Sequence, residues 1–203
     1  MKTIKLLAMA LLISLSAVAQ AQTKTKKAKS KKAATAMTTK KVDVDASKIT
    51  WIGKKVTGQH EGTIKLQNGV LIFSKNTLRG GNFTMDMNSI SATDLQGEWK
   101  DKLDGHLKDN DFFGTKNHPT SKLKFKTITD KGNGVYGIVA DLTIKNITNP
   151  ISFDLTVEQN SAKTTLKIDR TKYDIKYNSG KFFDSLGDKT ISDEFELNVT
   201  LVF

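Results

Sequence analysis

The stretch Glu194-Phe195-Glu196-Leu197-Asn198-Val199-Thr200-Leu201-Val202-Phe203 alternates polar and apolar side chains from its first residue to Leu201. Successive side chains of a strand point to opposite faces. This period of two therefore sets Phe195, Leu197, Val199, Leu201 and Phe203 on an inward face and Glu194, Glu196, Asn198 and Thr200 on the other. The period recurs upstream. Ile138, Ala140, Leu142 and Ile144 alternate with Val139, Asp141, Thr143 and Lys145. Ile151, Phe153, Leu155 and Val157 make another inward face, and Leu166, Ile168 and Arg170 share a parity. Nearer the N-terminus, Phe83, Met85 and Met87 alternate with Thr84, Asp86 and Asn88, His60, Gly62, Ile64 and Leu66 share a face, and Trp51 falls in the first strand.

Turn signals punctuate these runs. Asn68-Gly69 reads as a two-residue hairpin, because both central positions of such a turn take positive φ. Gly80-Gly81, Gly132-Asn133-Gly134 and Asn149-Pro150 read as further turns. About eight or nine strands joined by tight turns, each with one apolar face, imply an antiparallel sheet folded on itself. Closure into a barrel of ~8 strands removes the edges and can enclose one small ligand. A two-sheet sandwich has the same period and stays open. One helix interrupts the strands: Trp99, Leu103 and Leu107 fall at i, i+4 and i+8, with Thr93 or Asp94 placed to cap it.

Residues 1–21 read as a secretory signal peptide, with Lys2 and Lys5, an apolar run from Leu6 to Leu15, and small residues at Ala17, Ala19 and Ala21. Residues 22–41 read as a Lys-rich disordered linker, and residues 42–203 as the folded domain. The expected location is the periplasm or the extracellular space. The formal net charge of +11 belongs to the leading segments. Lys2, Lys5 and eight lysines in 22–41 account for ten of the 32 basic residues, and the 22 that remain face 21 acids. A domain so balanced offers no basic groove, so no nucleic-acid partner is expected. The linker Lys24–Lys41 could touch anionic envelope components. With no cysteine in the chain, disulfides, thiolate metal sites and Cys nucleophiles are excluded.

The polar residues do not assemble a recognisable catalytic or metal motif, and none of either kind is assigned. His60-Glu61 lacks the second histidine of a helical zinc site. Asp104 and His106 are two apart on a helix and do not share a face. His118 precedes Pro119 and reads as a turn residue. No G-x-S-x-G elbow and no glycine-rich nucleotide loop occur. The apolar inward faces remain. A packed core accounts for them as well as a greasy cavity does, although the methionines suit an irregular ligand.

From Leu103 the chain reads Leu103-x-x-His106-Leu107-Lys108-x-x-Asp111-Phe112-Phe113, followed by Pro119 and Phe125. This segment resembles the fingerprint of the YceI-like polyisoprenoid-binding proteins. Trp51-x-Gly53, Gly58-x-His60-x-Gly62, Gly80-Gly81-x-Phe83, Asp141-Leu142-Thr143-Ile144 with Pro150, and Arg170-x-x-Tyr173 follow in the family's order, so the resemblance covers residues 48–203. Gly114, His118 and Asn146 depart from it. The resemblance implies an all-β, lipocalin-like antiparallel barrel with one short helix. It also implies a non-enzymatic carrier of a hydrophobic ligand (a polyisoprenoid, an isoprenoid quinone or a similar lipid), with no required cofactor and with a homodimer as its assembly. The expected wall and lid of the cavity are Phe83, Met85, Met87, Trp99, Leu103, Leu107, Phe112, Phe113, Ile138, Leu142, Phe153, Leu155, Arg170, Phe195 and Leu197. Two rival readings stay open: an exported hydrolase acting through His60 or His106, and an envelope protein anchored to polyanions through Lys24–Lys41.

Overall fold

The computed structural model describes residues 36–203. Its strands are β1 (Met37–Lys41), β2 (Asp43–Lys55), β3 (Gly58–Ser74), β4 (Thr77–Ala92), β5 (Thr120–Gly132), β6 (Val135–Ile144), β7 (Ile147–Val157), β8 (Ser161–Asp169) and β9 (Ile191–Val202). Helix α1 (Gly97–Lys108) separates β4 from β5, and 3-10 turns at Arg170–Tyr173 and Gly187–Lys189 lie between β8 and β9. All pairings are antiparallel. The sheet runs β2-β9-β8-β7-β6-β5-β4-β3, and β3 pairs back to β2, which closes an eight-stranded barrel. The sandwich alternative is thereby excluded. Strand β1 lies outside this circuit and pairs Met37–Lys41 with Ser74–Val70 of β3.

The register sorts the connections into two ends. At one end, called here the lid end, lie the β2–β3 and β6–β7 turns, α1, and the chain from Arg170 to Ile191. At the far end lie the β3–β4 turn, the β5–β6 turn and the start of β1. Leu71, Phe73, Leu78, Tyr136, Ile138, Ala140 and Ala162 are buried there and pack the far end.

Several local expectations need correction. Asn68-Gly69 is no hairpin: β3 runs unbroken from Gly58 to Ser74. The pair follows a bulge at Gln67, seen as a register shift between Leu66 and Asn68, and itself pairs with Thr84 and Phe83. The bulge changes the inward parity, so that Ile64 and Leu66 face inward before it and Leu71 and Phe73 after it. Gly80-Gly81 lies within β4, where a Cβ on Gly81 would stand 2.6 Å from the Phe125 ring, so glycine there makes room for an aromatic side chain. The turn itself falls at Lys75-Asn76. Asn149-Pro150 lies within β7. The turn before it is Lys145-Asn146, both left-handed with φ of 49° and 62°, as a two-residue hairpin requires. Pro150 is tolerated because β7 pairs with β8 only at Thr156 and Val157, leaving that side of the strand without a ladder.

Met37–Lys41 form β1 rather than the end of a linker, because the exposed half of β3 offers them unpaired backbone groups. The expected signal peptide, and the expected linker as far as residue 35, lie outside the described residues.

Candidate functional site

The barrel interior holds one apolar cavity to which every barrel strand contributes. Its volume is about 150 Å³ of space open to the centre of a water-sized sphere. One water needs roughly 10–15 Å³ on that measure, so this is an extended void rather than a packing defect. Its lining runs along β9 from Ile191 to Leu201. Ten residues of strand span roughly 33 Å, so the lining follows β9 over most of its length. That shape suits one extended chain better than a compact ring system.

The walls come from the inward parities. Phe83, Met85 and Met87 of β4, Leu142 of β6, Phe153 and Leu155 of β7, and Phe195 and Leu197 of β9 all face the cavity. Trp51, Leu66, Leu123, Phe125, Ile144 and Leu166 line it as well. Their strand periods carried that information, but period alone does not say which inward residues border a void and which pack solidly. Ile138 shows the difference. It is inward and only 1% exposed, yet it belongs to the packed core and does not border the void.

The lid is built by α1 and the loop after it. Leu107 is buried and faces the cavity, and Leu103 packs against the core without lining the void. Trp99 is 71% exposed and takes no part in the wall. Its ring lies under the Lys102 ammonium, 5.0 Å from the ring centroid, on the outer side of the helix. The three-residue stripe was therefore too wide, because the outer part of a helix that sits across a barrel end meets solvent. No side chain caps α1: Gln96 occupies the cap position. Asp94 is spent elsewhere, accepting from the Glu61 N–H at 3.3 Å and lying 2.8 Å from His60 Nδ1.

Phe112 and Phe113 pack edge to face with ring centroids 5.2 Å apart, and Phe113 meets Phe195 at 6.3 Å. The loop that presents them is closed by Asp109, whose carbonyl accepts from the Phe112 and Gly114 N–H groups at 3.0 and 2.7 Å. Gly114 sits at φ +57°, a left-handed position that glycine takes without strain. The departure from the family pattern at this residue therefore has a local backbone reason.

The Asp104 carboxylate fastens the lid to the rim. It accepts from the Ala92 N–H at 2.7 Å and the Ser91 hydroxyl at 2.8 Å, and it pairs with Lys100. Burial alone would raise its pKa, but the hydrogen bonds from Lys100, Ala92 and Ser91 outweigh that and hold it below the usual carboxylate range. Turned this way, Asp104 does not face His106.

Arg170 closes the same end from inside and is 2% exposed. Its Nε donates to the Ser192 carbonyl at 2.9 Å, Nη1 to Ile175 at 2.8 Å and Nη2 to Ile191 at 3.0 Å. Backbone carbonyls take the guanidinium's hydrogen bonds, and Asp193, with a carboxylate oxygen 3.9 Å away, completes a longer ion pair. Burial lowers its pKa, and Asp193 and Asp169 oppose that. Arg170 borders the cavity and lies against Phe112, its guanidinium carbon 5.8 Å from the ring centroid.

The histidines stand apart from the void. His60 is paired with Asp94, and His106 lies between the rings of Phe112 and Tyr177, at 5.4 and 4.4 Å. Among the described residues, no serine or threonine hydroxyl is hydrogen-bonded to a histidine ring. One grouping, His106 with Asp109 and Asp111, brings three ligand atoms within 4.8 Å of one another, and both aspartates are exposed.

Residues 40–203 match the model of the YceI-like domain. The chain belongs to the YceI-like family. Among curated proteins it is 29% identical to the UPF0312 protein of Shewanella denitrificans, over 42% of each chain. It is 36% identical to a UPF0312 protein of Staphylococcus aureus, over 38% of this chain and 49% of that one. These alignments therefore span less than half the length of either relative. Among solved structures, Burkholderia cenocepacia BcnA superposes with a TM-score of 0.66 at 21% identity, covering 80% of this chain and 99% of BcnA. A polyisoprenoid binding domain from Saccharophagus degradans superposes with a TM-score of 0.54 at 14% identity, covering 79% and 95%. At such identities the likeness is one of fold.

Proposed function

We propose that this protein is an exported, non-enzymatic binding protein that holds one long-chain amphiphile (a polyisoprenoid, an isoprenoid quinone or a similar lipid) in the barrel. The observation that carries this reading is the cavity itself: lined along β9 from Ile191 to Leu201 and walled mainly by apolar side chains, with at least one from every barrel strand. Burial of each methylene in such a site contributes about 0.8 kcal/mol, so a long chain binds through length without a polar recognition group. The Saccharophagus domain named for polyisoprenoid binding shares the fold and supports the ligand class. Arg170, which borders the cavity at the lid end, already donates to three carbonyls, which favours ligand length over a headgroup contact with it as the main source of affinity. The reading requires no cofactor. It is favoured over a hydrolase because neither His60 nor His106 borders the cavity.

Trp51 borders the cavity and Trp99 does not, which gives a direct test. An isoprenoid quinone titrated into the Trp99→Phe variant should quench the remaining Trp51 fluorescence and saturate near one quinone per chain. Unsaturable quenching, equal to that of free tryptophan, would overturn the proposal.

A further inference from the structure

The barrel wall is not equally sealed all round. β7 pairs with β8 at Thr156↔Lys163 and Val157↔Ala162 and nowhere else, whereas every other seam of the circuit is laddered over at least five residues. Toward the lid end the two strands run on, to Ile147 and Asp169, with no ladder between them. Backbone groups point alternately to the two neighbours of a strand. The Glu158 N–H donates to the Ser161 carbonyl across the β7–β8 turn, so the backbone groups of Thr148, Pro150, Ser152 and Asp154 face β8. Pro150 has no N–H to offer there. Two side chains make the ties that the ladder omits. The Thr164 hydroxyl donates to the Asp154 carbonyl at 2.6 Å, and the Asn149 amide donates to the Lys172 carbonyl at 2.9 Å. Between these ties lies a slot that follows β7 from Asn149 to Asp154, roughly 16 Å of strand.

This seam borders the void. Phe153 and Leu155 on one side and Thr164 and Leu166 on the other line the cavity. On the outer face a groove is lined by Asp154, Thr156, Lys163 and Thr165. Thr164 and Val199, paired across β8 and β9, border groove and cavity alike, so one layer of side chains separates the void from solvent there. Thr164 is also the polar exception on the inward parity of β8, among Ala162, Leu166 and Ile168, which are all buried. The β4–β5 seam gives a contrast. Its ladder also ends early, at Asn82↔Lys124, but Leu78 and Tyr136 are buried behind the part left open, and neither borders the void. A short ladder thus backs onto packed core at one seam and onto the cavity at the other.

We propose that the β7–β8 seam is a side gate for the ligand, with Thr164 as its latch: the chain enters and leaves sideways as the two strands part from the lid end toward Val157, while α1 stays fastened. The gate rests on the lipid-holding reading. Parting the strands releases two side-chain hydrogen bonds and little ladder. Lifting α1 would instead break the bonds from Ser91 and Ala92 to Asp104 and draw the buried Leu107 out of the core.

The test is stopped-flow quenching of Trp51 by an isoprenoid quinone in the full chain carrying Trp99→Phe, with release followed on dilution into detergent micelles. Continuing the register past Thr156↔Lys163 sets the exposed Ser152 opposite the exposed Lys167. Ser152→Cys and Lys167→Cys, joined by a short bismaleimide, therefore hold the seam shut in a chain that has no cysteine of its own. His106→Cys with Tyr177→Cys, where the parent rings lie 4.4 Å apart, ties α1 to the segment after β8 in the same way. Each bridged protein is compared with its unbridged form. The seam bridge should slow uptake and release alike, about tenfold, with Kd unchanged, as a barrier on the path does and a damaged site does not. The α1 bridge should leave both rates as they were. Thr164→Val should speed both severalfold, the size expected for one net hydrogen bond. Unchanged rates with the seam bridged overturn the gate, and so does slowing by the α1 bridge. Hydrogen exchange reads the seam without a ligand. The Thr156 and Lys163 amides, which face across it, should exchange faster than the Thr164 and Leu166 amides, which face β9, and faster again in Thr164→Val. Equal protection of the two sets also overturns the gate. Saturable quenching that the seam bridge does not slow refutes the gate alone. No quenching in the parent, beside fast exchange at the seam, refutes the lipid reading and leaves the opening seam standing.

Discussion

The two ends of this barrel are held together by different physics. The far end is closed by tight turns and solidly packed side chains, among them Leu71, Leu78 and Ile138, each at most 1% exposed. The lid end is closed by a helix, a loop and a long irregular segment, fixed at a few points by Arg170, Asp104, Asp94 and Asp169. Packing resists change everywhere at once, whereas a few directed polar contacts can be released one at a time. A protein that must admit a ligand at one end and stay folded at the other would be divided in this way.

The comparison can be broken most sharply at Arg170. Arg170→Ala leaves the Ile175, Ile191 and Ser192 carbonyls without their donor. Leaving a buried acceptor unsatisfied costs about 1–3 kcal/mol, and here three lose their donor together. Chemical denaturation should show that loss, and hydrogen exchange should place it between Arg170 and Ile191 rather than in β5 and β6. Uniform loss of protection would mean that the ends are not independent.

Within β6 the two ends can be compared on a single strand. Ile138→Ala removes a fully packed side chain, and Leu142→Ala removes one that borders the void. Large-to-alanine changes in cores cost about 2–5 kcal/mol. Ile138→Ala is expected near the top of that range and Leu142→Ala near the bottom, because one side of Leu142 has no packing to lose. Equal costs by urea denaturation would mean that the cavity is not a void in solution.

At the lid, Asp104→Asn weakens the link from α1 to Ser91 and Ala92 and should cost about 1–2 kcal/mol. Amide exchange in α1 should rise while that of the far-end strands stays the same. Acid acts on the same ties. Asp94, Asp104 and Asp169 all have folded pKa values below their ordinary 3.8; burial opposes this, and hydrogen bonds from His60, Lys100 and Thr171 prevail. Each therefore contributes stability that is complete above its unfolded value and is lost as the pH falls through the lower folded value. Proteolysis with an acid-active protease should cut the lid end at pH values below 3.8 before it cuts the far end, and should cut neither at pH 6. The smallest effect is expected for Trp99→Ser, within about 0.5 kcal/mol of the parent by thermal denaturation, because the residue is exposed.

The barrel strands were largely legible in the sequence because period-two alternation is a direct image of strand geometry. Phe195 to Leu201 and Ile138 to Ile144 fall where their parities put them. What misled was chemistry common to turns and bulges. Asn68-Gly69 has the composition of a hairpin but lies in a continuous strand just after a bulge at Gln67, because only the partner strand fixes which of the two forms. Asn149-Pro150 has the composition of a turn but lies in a strand whose other side is mostly unpaired. The lid end was less legible for a deeper reason. Helical spacing grouped Trp99 with Leu107, but the angle at which α1 crosses the barrel decides which of them is buried. Nothing local to Arg170 marks Ser192 and Ile191 as its partners, since they lie more than twenty residues away and meet it only once β8 and β9 pair. The extent of the void was likewise hidden, because a border residue and a packed residue have the same parity.

The central claim is that the long void along β9 is a lipid site. Its most direct test is native mass spectrometry of the full chain purified from its native cells, beside a Leu197→Trp variant that narrows the cavity. The account predicts that the parent carries one long-chain amphiphile per barrel, released by organic solvent, and that the variant folds but arrives empty. A parent that is empty after gentle isolation, and that takes up no isoprenoid quinone or polyisoprenol when either is supplied, would contradict it.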